Sequence, residues 1–269
     1  MTDTERHLTG THRHGIDSSR PHTARIWNYW TGGKDHYPVD REAGDRIREL
    51  HPGIGEYALA DRRFLGRAVR YLAEEAGVRQ FLDIGTGLPS ADNTHQVAQR
   101  VAPGARVVYV DNDPLVLAHA RALLVGTPEG RTDYLDANLR DVDAILSAAS
   151  GILDLDRPVA LMLLGVVIFV PDDEESYEIV RRLLDALAPG SHLVLSHTVR
   201  RPDLPDVDAA VAFWNRNGTP WLTQRTPEAI TRYFDGLTLL EPGVVPCSRW
   251  RPEGPAADVA MYAGVGRKE

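Results

Sequence analysis

Cysteine is nearly absent from this chain of 269 residues, and Cys247 is its only one. A single cysteine excludes an internal disulfide and a zinc site of the multi-cysteine kind. His12 and His14 stand close together near the start of the chain, but no further ligands accompany them. The sequence therefore predicts no metal site.

Long hydrophobic runs are also missing. No stretch reaches the roughly 18 consecutive apolar residues of a membrane-spanning helix. The first segment, MTDTERHLTGTHRHGIDSS, lacks the apolar centre of a signal peptide. We therefore expect a soluble, cytoplasmic protein with no membrane partner.

The chain has no excess of positive charge, since its formal net charge is -8. A surface of that sign repels the phosphate backbone, which supplies most of the affinity for nucleic acids. The basic pairs Arg200-Arg201 and Arg249/Arg251 are interpreted as solvated surface. The charge balance therefore predicts no nucleic-acid partner.

The residues before position 77 divide into a tail and a helical cap. Residues 1–20 are polar and aperiodic, which is typical of a disordered tail. Residues 21–76 contain three predicted helices, the first interrupted by Gly32-Gly33. The helices are predicted around Ile26–Trp30, from an N-cap near Asp40 through Ile47, and from about Ile54 to Ala76.

Residues 77–269 alternate between apolar runs and segments of helical length, which is typical of a parallel sheet with helices on both faces. Two later runs, 237–243 and 258–265, are joined by a loop rich in proline and arginine, so an antiparallel pair is predicted there. The expected fold is a doubly wound α/β domain with a mostly parallel, seven-stranded, Rossmann-like sheet, a reversed last strand and the N-terminal cap. The first five strands are predicted at Gln80–Ile84, Arg106–Val110, Thr132–Leu135, Val159–Leu164 and His192–Ser196.

A glycine loop, FLDIGTGLPS, closes the first predicted strand. Gly85 and Gly87 permit a positive φ and the close approach of a ligand. The dinucleotide fingerprint requires a third glycine where this chain has Ser90, and Pro89 interrupts the turn. Asp83 would repel a pyrophosphate but attract the ammonium group of S-adenosylmethionine, so charge favours the latter ligand.

Two further acids follow the next two strands. Asp111 lies 28 residues after Asp83, close to the spacing at which a carboxylate meets ribose hydroxyls. Asp113 precedes Pro114 and is interpreted as a helix cap. Asp136 either accepts a hydrogen bond from an adenine amine or caps the following helix. Together, Asp83, Asp111 and Asp136 are expected at one edge of the sheet.

The segments FLDIGTGLPS, VVYVDNDP, YLDAN and PVALMLLGVVIFV resemble the ordered motifs of class I S-adenosylmethionine-dependent methyltransferases. RIWNYWTGGKDHYPVDREAGDRI resembles more narrowly a bacterial family of S-adenosyl methyltransferases. The resemblance implies S-adenosylmethionine as cofactor and methyl transfer to a small-molecule acceptor. It places cofactor contacts at Asp83, Gly85, Thr86, Gly87, Asp111, Asn112, Asp136 and Ala137, with Leu164 and Gly165 facing the transferred methyl.

The acceptor side is less constrained by the sequence. His197, just past the fifth strand, is the predicted general base. A lid of Tyr29, Lys34, Asp35, Tyr37 and Arg63 is expected to close over the cofactor or acceptor, with Gly32-Gly33 as its hinge. The alternative is a permanently packed cap with Trp27 and Trp30 in the core.

Two other functions fit the same motifs. One is a regulatory protein that binds S-adenosylmethionine without turnover. The other is an NAD-dependent oxidoreductase, which the substitution of Ser90 for the third glycine disfavours. The methylated atom and the oligomeric state are not predicted.

Overall fold

The computed structural model describes residues 16–123 and 125–269, so His12, His14 and most of the predicted tail lie outside the described residues. The α-helices in that part of the chain are α1 Thr23–Trp30, α2 Pro38–Leu50, α3 Ile54–Glu74, α4 Thr94–Val101, α5 Pro114–Leu123, α6 Val142–Ala149, α7 Asp173–Asp185, α8 Pro205–Asn217 and α9 Pro227–Thr231. The strands are β1 Gln80–Ile84, β2 Arg106–Asp111, β3 Arg131–Asp136, β4 Ala160–Leu164, β5 His192–Thr198, β6 Thr238–Leu239, β7 Val245–Pro246 and β8 Met261–Arg267.

The strands form one mixed sheet in the order β3-β2-β1-β4-β5-β8-β6, and β7 also pairs with β8. β1 to β5 run parallel, whereas β8 is antiparallel to β5. This arrangement confirms the predicted fold class, including the reversed strand near the end of the chain. The two-residue β7 is an addition that the sequence pattern did not reveal.

The central strands are buried on both faces, as expected where helices cover a parallel sheet on each side. Every residue of β1 is buried, and in β4 only Leu164, at the cavity edge, is partly exposed. α3 packs against this sheet through Phe64, Val69 and Leu72, which are all fully buried. Among the described residues, no helix combines the length and hydropathy needed to cross a bilayer.

The strand order reverses between β1 and β4, where chain connections leave in opposite directions. In open α/β sheets, such a reversal leaves a crevice beyond the carboxyl ends of the two strands, and ligands bind there. A ligand site is therefore expected beside the loops after β1 and β4.

The cap forms a second, smaller hydrophobic cluster. Ile26 from α1 and Ile47 from α2 pack with Ala210 and Trp214 from α8. α2 begins at Pro38 with Tyr37 as its N-cap, so the sequence assignment of Asp40 as the N-cap was wrong. Asp40 instead occupies the third helical position, and its side chain accepts the backbone N–H of Tyr37, as in a capping box.

A buried ion pair joins α1 and α2. The Asp40 carboxylate is fully buried and accepts the Arg25 Nε–H at 2.8 Å. It also accepts the backbone N–H groups of His22 and Tyr37 at 3.0 and 2.8 Å. One carboxylate therefore fixes both the start of α1 and the start of α2.

We expect Asp40→Ala to destabilise the cap, because it leaves the buried Arg25 guanidinium and two backbone N–H groups without their acceptor. Removing one member of a buried ion pair costs about 3–5 kcal/mol. Urea unfolding measures the loss, and hydrogen exchange of residues 21–50 locates it.

Glu42→Ala is the matched control, since Glu42 is exposed on the same helix. Surface substitutions of this kind change stability by at most about 0.5 kcal/mol. Equal losses in the two variants would show that the Asp40 network does not hold the cap.

Candidate functional site

A cavity of about 250 Å³ lies at the carboxyl edge of the sheet, where the strand order reverses. We call it the strand-end cavity. The loops after β1 and β4 form its floor, the segment after β3 forms one side, and α1 and α3 close it from above. It therefore combines the Rossmann-like core with the cap.

Most of the cofactor contacts predicted from the sequence meet in the strand-end cavity. Its lining includes Asp83, Gly85, Thr86, Gly87, Asp111, Asn112, Ala137, Leu164 and Gly165. Asp136 pairs in register with Asp111 but is exposed and does not line the cavity. Asp136 is also not the cap of the next helix, because Asp141 occupies the N-cap position of α6.

The two glycines of the loop after β1 adopt left-handed conformations, with φ of 78° at Gly85 and 66° at Gly87. A Cβ added to Gly85 would lie 2.4 Å from Cγ2 of Val166. Val166 belongs to the loop after β4, so the two loops pack in direct contact. Glycine at position 85 is thus required by both backbone conformation and packing.

Two buried carboxylates face the strand-end cavity. Asp83 is 5% exposed, and its Oδ2 accepts the Thr94 hydroxyl at 2.6 Å. Asp61, on α3, is equally buried, and its Oδ1 has no hydrogen-bond partner among the described residues. Burial raises the pKa of each carboxyl from 3.8 to about 6. Arg62, beside Asp61 on α3, also lines the cavity and supplies a positive charge.

Asp111 braces two turns at the cavity edge. Its Oδ2 accepts the Gly87 N–H at 2.9 Å, and its Oδ1 accepts the Asp113 N–H at 3.0 Å. Asp113 in turn accepts the Leu115 N–H at 2.8 Å, which is the contact of a helix cap. Each oxygen of Asp111 keeps a lone pair for a further donor, so the bracing leaves it able to bind hydroxyl groups.

One face of α1 lines the cavity, and of its residues the sequence pattern indicated only Trp27. Ala24, Trp27, Asn28 and Thr31 all line the cavity. Their spacing is i, i+3, i+4 and i+7, so they share one side of the helix. The sequence pattern indicated Ile26, Trp27 and Trp30; of these, Trp27 lines the cavity, whereas Ile26 and Trp30 pack in the smaller cluster with α8.

The residues predicted to form a lid do not line the strand-end cavity. Lys34 and Arg63 are exposed, and the Tyr29 hydroxyl donates to Asp45 at 2.6 Å. Asp35 donates its backbone N–H to Asn28, and Tyr37 caps α2. On α3 the cavity-facing arginine is Arg62, because one residue along a helix rotates a side chain by about 100°.

The structure does not bring His197 to the cavity. Its side chain is fully buried, with Nδ1 2.8 Å from the Thr198 carbonyl and Nε2 2.8 Å from Arg225. Burial lowers the pKa of this imidazole to about 3. His197 therefore lies in the core, apart from the position expected of a general base.

Cys247 is also fully buried, and burial raises the pKa of its thiol.

Gly33 permits the placement of Asn28 in the cavity wall. A Cβ on Gly33 would lie 2.2 Å from Nδ2 of Asn28. Asn28 Oδ1 accepts the Asp35 N–H at 2.9 Å, which anchors the turn after α1. Gly33 therefore has a packing role, whereas a Cβ on Gly32 would meet nothing within 4 Å.

A sequence model described as S-adenosyl methyltransferase matches residues 9–269. The chain belongs to this family. The match confirms the family resemblance of the motifs and places the chain among enzymes whose cofactor is S-adenosylmethionine.

Two solved structures are similar over nearly the whole chain. A DUF574 family protein from Streptomyces avermitilis is 44% identical, with a TM-score of 0.91 over 95% of this chain and 100% of that one. A candidate methyltransferase from Thermobifida fusca is 40% identical, with a TM-score of 0.87 over 94% of this chain and 97% of that one.

A carboxy-S-adenosyl-L-methionine synthase from Chromohalobacter salexigens is 31% identical over 162 residues. The match covers 59% of this chain and 52% of the relative, so the chain spans about half the length of that protein.

We expect Asp83→Asn to stabilise the ligand-free protein above pH 7. A folded-state pKa of about 6, raised from 3.8, means that the carboxyl favours folding when protonated and that this advantage is lost as pH rises through about 6. At neutral pH the buried charge of Asp83 therefore costs about 3 kcal/mol. Asparagine removes the charge and still accepts the Thr94 hydroxyl, so urea unfolding at pH 7.5 should show a gain, and unfolding at pH 4 should not.

The control for this stability effect is Asp156→Asn, which removes an exposed carboxylate at the opposite edge of the sheet. We expect no comparable gain from it at either pH. A loss of stability in Asp83→Asn at pH 7.5 would contradict the assigned cost of the buried charge.

We expect Gly33→Ala to displace Asn28 from the cavity wall and to break its bond to Asp35. A buried polar group left without its partner costs about 1–3 kcal/mol. Unfolding experiments and the affinity for S-adenosylhomocysteine should both register the change. Gly66→Ala on α3 is the comparison, since its added methyl meets nothing within 4 Å and alanine in a helix stabilises by roughly 0.5–1 kcal/mol. Similar behaviour of the two variants would rule out the packing role of Gly33.

Proposed function

We propose that this protein binds S-adenosylmethionine in the strand-end cavity and transfers its methyl group to a small-molecule acceptor. The observation that carries the proposal is the pair of buried carboxylates, Asp61 and Asp83, facing a cavity built on a glycine loop. Such a cavity favours a ligand with positive charge and disfavours a pyrophosphate. Membership of the S-adenosyl methyltransferase family supports the same ligand.

The residues present fit this cofactor. Asp83 is suited to hold its ammonium group, and Arg62 its carboxylate. Asp111 has free lone pairs for the two ribose hydroxyls, and Ala137 leaves room for the flat adenine. The bound donor supplies a methyl group activated by the sulfonium charge, so the protein's task is to orient the acceptor and exclude water.

Two features of the cavity support the fit independently of the motifs. Asp61 is a second buried carboxylate in the cavity wall, and its charge adds to the attraction for a cationic ligand. Gly87 has open space where its Cβ would be, so a ligand can approach the backbone there. Both features face the same cavity.

The cap takes part in this proposal as the roof of the cavity. Trp27, Asn28 and Thr31 cover it from α1, and His22 Nδ1 lies 2.9 Å from Asp113 Oδ2 at the edge of the sheet. A closing movement of the cap would shield the donor from water.

The oxidoreductase alternative is disfavoured by Asp83, because this buried carboxylate stands where a dinucleotide phosphate would have to approach. The name of the Chromohalobacter salexigens relative refers to a derivative of S-adenosylmethionine, which supports a donor of this kind.

We expect calorimetry to detect binding of S-adenosylmethionine and S-adenosylhomocysteine, and none of NAD. Affinity for S-adenosylmethionine should rise roughly tenfold between pH 5 and pH 7, because the Asp83 carboxyl, with its pKa raised to about 6, must ionise to hold the ammonium group. Binding near pH 6 should release protons, which the dependence of the heat on the buffer measures.

Asp83→Asn should bind more weakly and show a smaller pH dependence. Asp156→Asn should match the wild type in both respects, since Asp156 lies at the opposite edge of the sheet. Absence of heat with both sulfur ligands at millimolar concentration would refute the proposed function. Binding without any acceptor-dependent formation of S-adenosylhomocysteine would favour a regulatory protein.

A further inference from the structure

A second cavity, of about 70 Å³, lies between the cap helices and α8. We call it the cap cavity. Its walls are apolar and aromatic, and among the described residues that line it there is no Asp, Glu, Lys or Arg. Its main wall residues are Trp27, Trp30, Tyr57, Ile168, Trp214 and Met261. Such walls favour an uncharged, flat group and exclude an ion.

His51 provides the cap cavity with one strong polar group. This residue follows α2 and is only 5% exposed. Its Nε2 is buried and has no hydrogen-bond partner among the described residues. Buried polar atoms are normally paired, so an orphan ring nitrogen in an apolar cavity points to a missing partner.

The other ring nitrogen determines what that partner must be. Nδ1 of His51 lies 2.5 Å from Oδ2 of Asp206, and this hydrogen bond holds the pKa of the Asp206 carboxyl below its usual value. An ionised carboxylate only accepts, so the proton resides on Nδ1 and donates to Asp206. In the neutral ring, Nε2 then presents a lone pair and accepts a hydrogen bond.

The cap cavity adjoins the strand-end cavity. Thr23 and Trp27 line both. Tyr57 in the first and Asp61 in the second are one turn apart on α3. At the end of β4, a Cβ on Gly165 would lie 3.3 Å from the terminal methyl of Met261, so the walls of the two cavities are in contact there as well.

We propose that the cap cavity receives one end of the methyl acceptor, and that this end is an uncharged aromatic ring whose hydroxyl donates to Nε2 of His51. The proposal rests on the proposed function, because it assigns the acceptor of that reaction. The volume of the cap cavity is far below the roughly 300–1,000 Å³ of pockets that enclose whole ligands. The remainder of the acceptor therefore extends past Trp27 toward the donor.

His51 is a positioning residue in this arrangement. Its hydrogen bond fixes the ring of the acceptor and so sets which atom faces the donor. Asp206 holds the imidazole in the accepting tautomer. The nearby Tyr57 ring packs edge-on against His51 at 4.8 Å and restricts its rotation.

Phenol is the simplest probe of this site, and anisole and benzoate are its controls. Anisole keeps the ring but lacks the donor, and benzoate adds a charge. With wild-type protein saturated with S-adenosylhomocysteine, we expect phenol to bind about three- to tenfold more tightly than anisole. Benzoate should not bind. In protein with ¹⁵N-labelled histidine, phenol should shift the Nε2 resonance of His51.

Two variants separate the contribution of the hydrogen bond to binding from the contribution of the cavity. His51→Phe keeps an aromatic ring but removes the acceptor, so the preference of phenol over anisole should fall to about one. Ala210→Leu fills the cavity while retaining His51, so binding of both probes should be lost. His119→Phe, a histidine outside both cavities, should preserve the preference for phenol.

An unchanged preference for phenol in His51→Phe would overturn the proposal, and so would phenol binding that survives Ala210→Leu. If His51→Phe fails to fold, two measurements still test the proposal. They are the binding of both probes to Ala210→Leu and the Nε2 resonance of His51 in the wild-type protein. Titration with S-adenosylhomocysteine alone tests the donor site separately. Its failure would refute the proposed function, whereas failure of phenol with S-adenosylhomocysteine bound would refute only the acceptor assignment.

Discussion

The Asp40 carboxylate is the constraint on which the arrangement of both cavities depends. It is fully buried, and it holds Arg25 of α1 together with the backbone at His22 and Tyr37. The position of α1 fixes Trp27, which forms a wall of the strand-end cavity and of the cap cavity. A buried charge is costly in itself, and it is tolerated here because all its partners are in place.

The fold and the floor of the site could be predicted from the sequence, because local signals determine them. The first five apolar runs became β1 to β5, with ends that differ by at most two residues. A glycine loop after a buried strand has few structural alternatives, so Gly85 and Gly87 were placed correctly in the crevice. The antiparallel β8 followed from the lack of a crossover helix before it.

The roof and the acceptor side could not be predicted in the same way, because they depend on how helices dock. The helical spacing of apolar residues alone does not determine which face of α1 meets the core. The cavity-facing Asn28 was missed for this reason. Arg63 was chosen where Arg62 faces the cavity, a difference of one position on α3. His51 and Asp206 are 155 residues apart in sequence and meet only through the contact of α2 with α8. His197 was predicted just past the fifth strand, but it lies within β5 and its side chain is buried in the core.

Trp27 couples the filling of the two cavities. The Trp27 side chain lines both cavities, so a ligand in either one favours the ring positions that leave it room. Thermodynamic reciprocity then requires that whatever the first ligand does to the affinity of the second, the second does equally to the first. If Trp27 moves when a ligand binds, the two cavities are not filled independently. The movement of this one side chain then makes the two binding steps either cooperative or mutually exclusive.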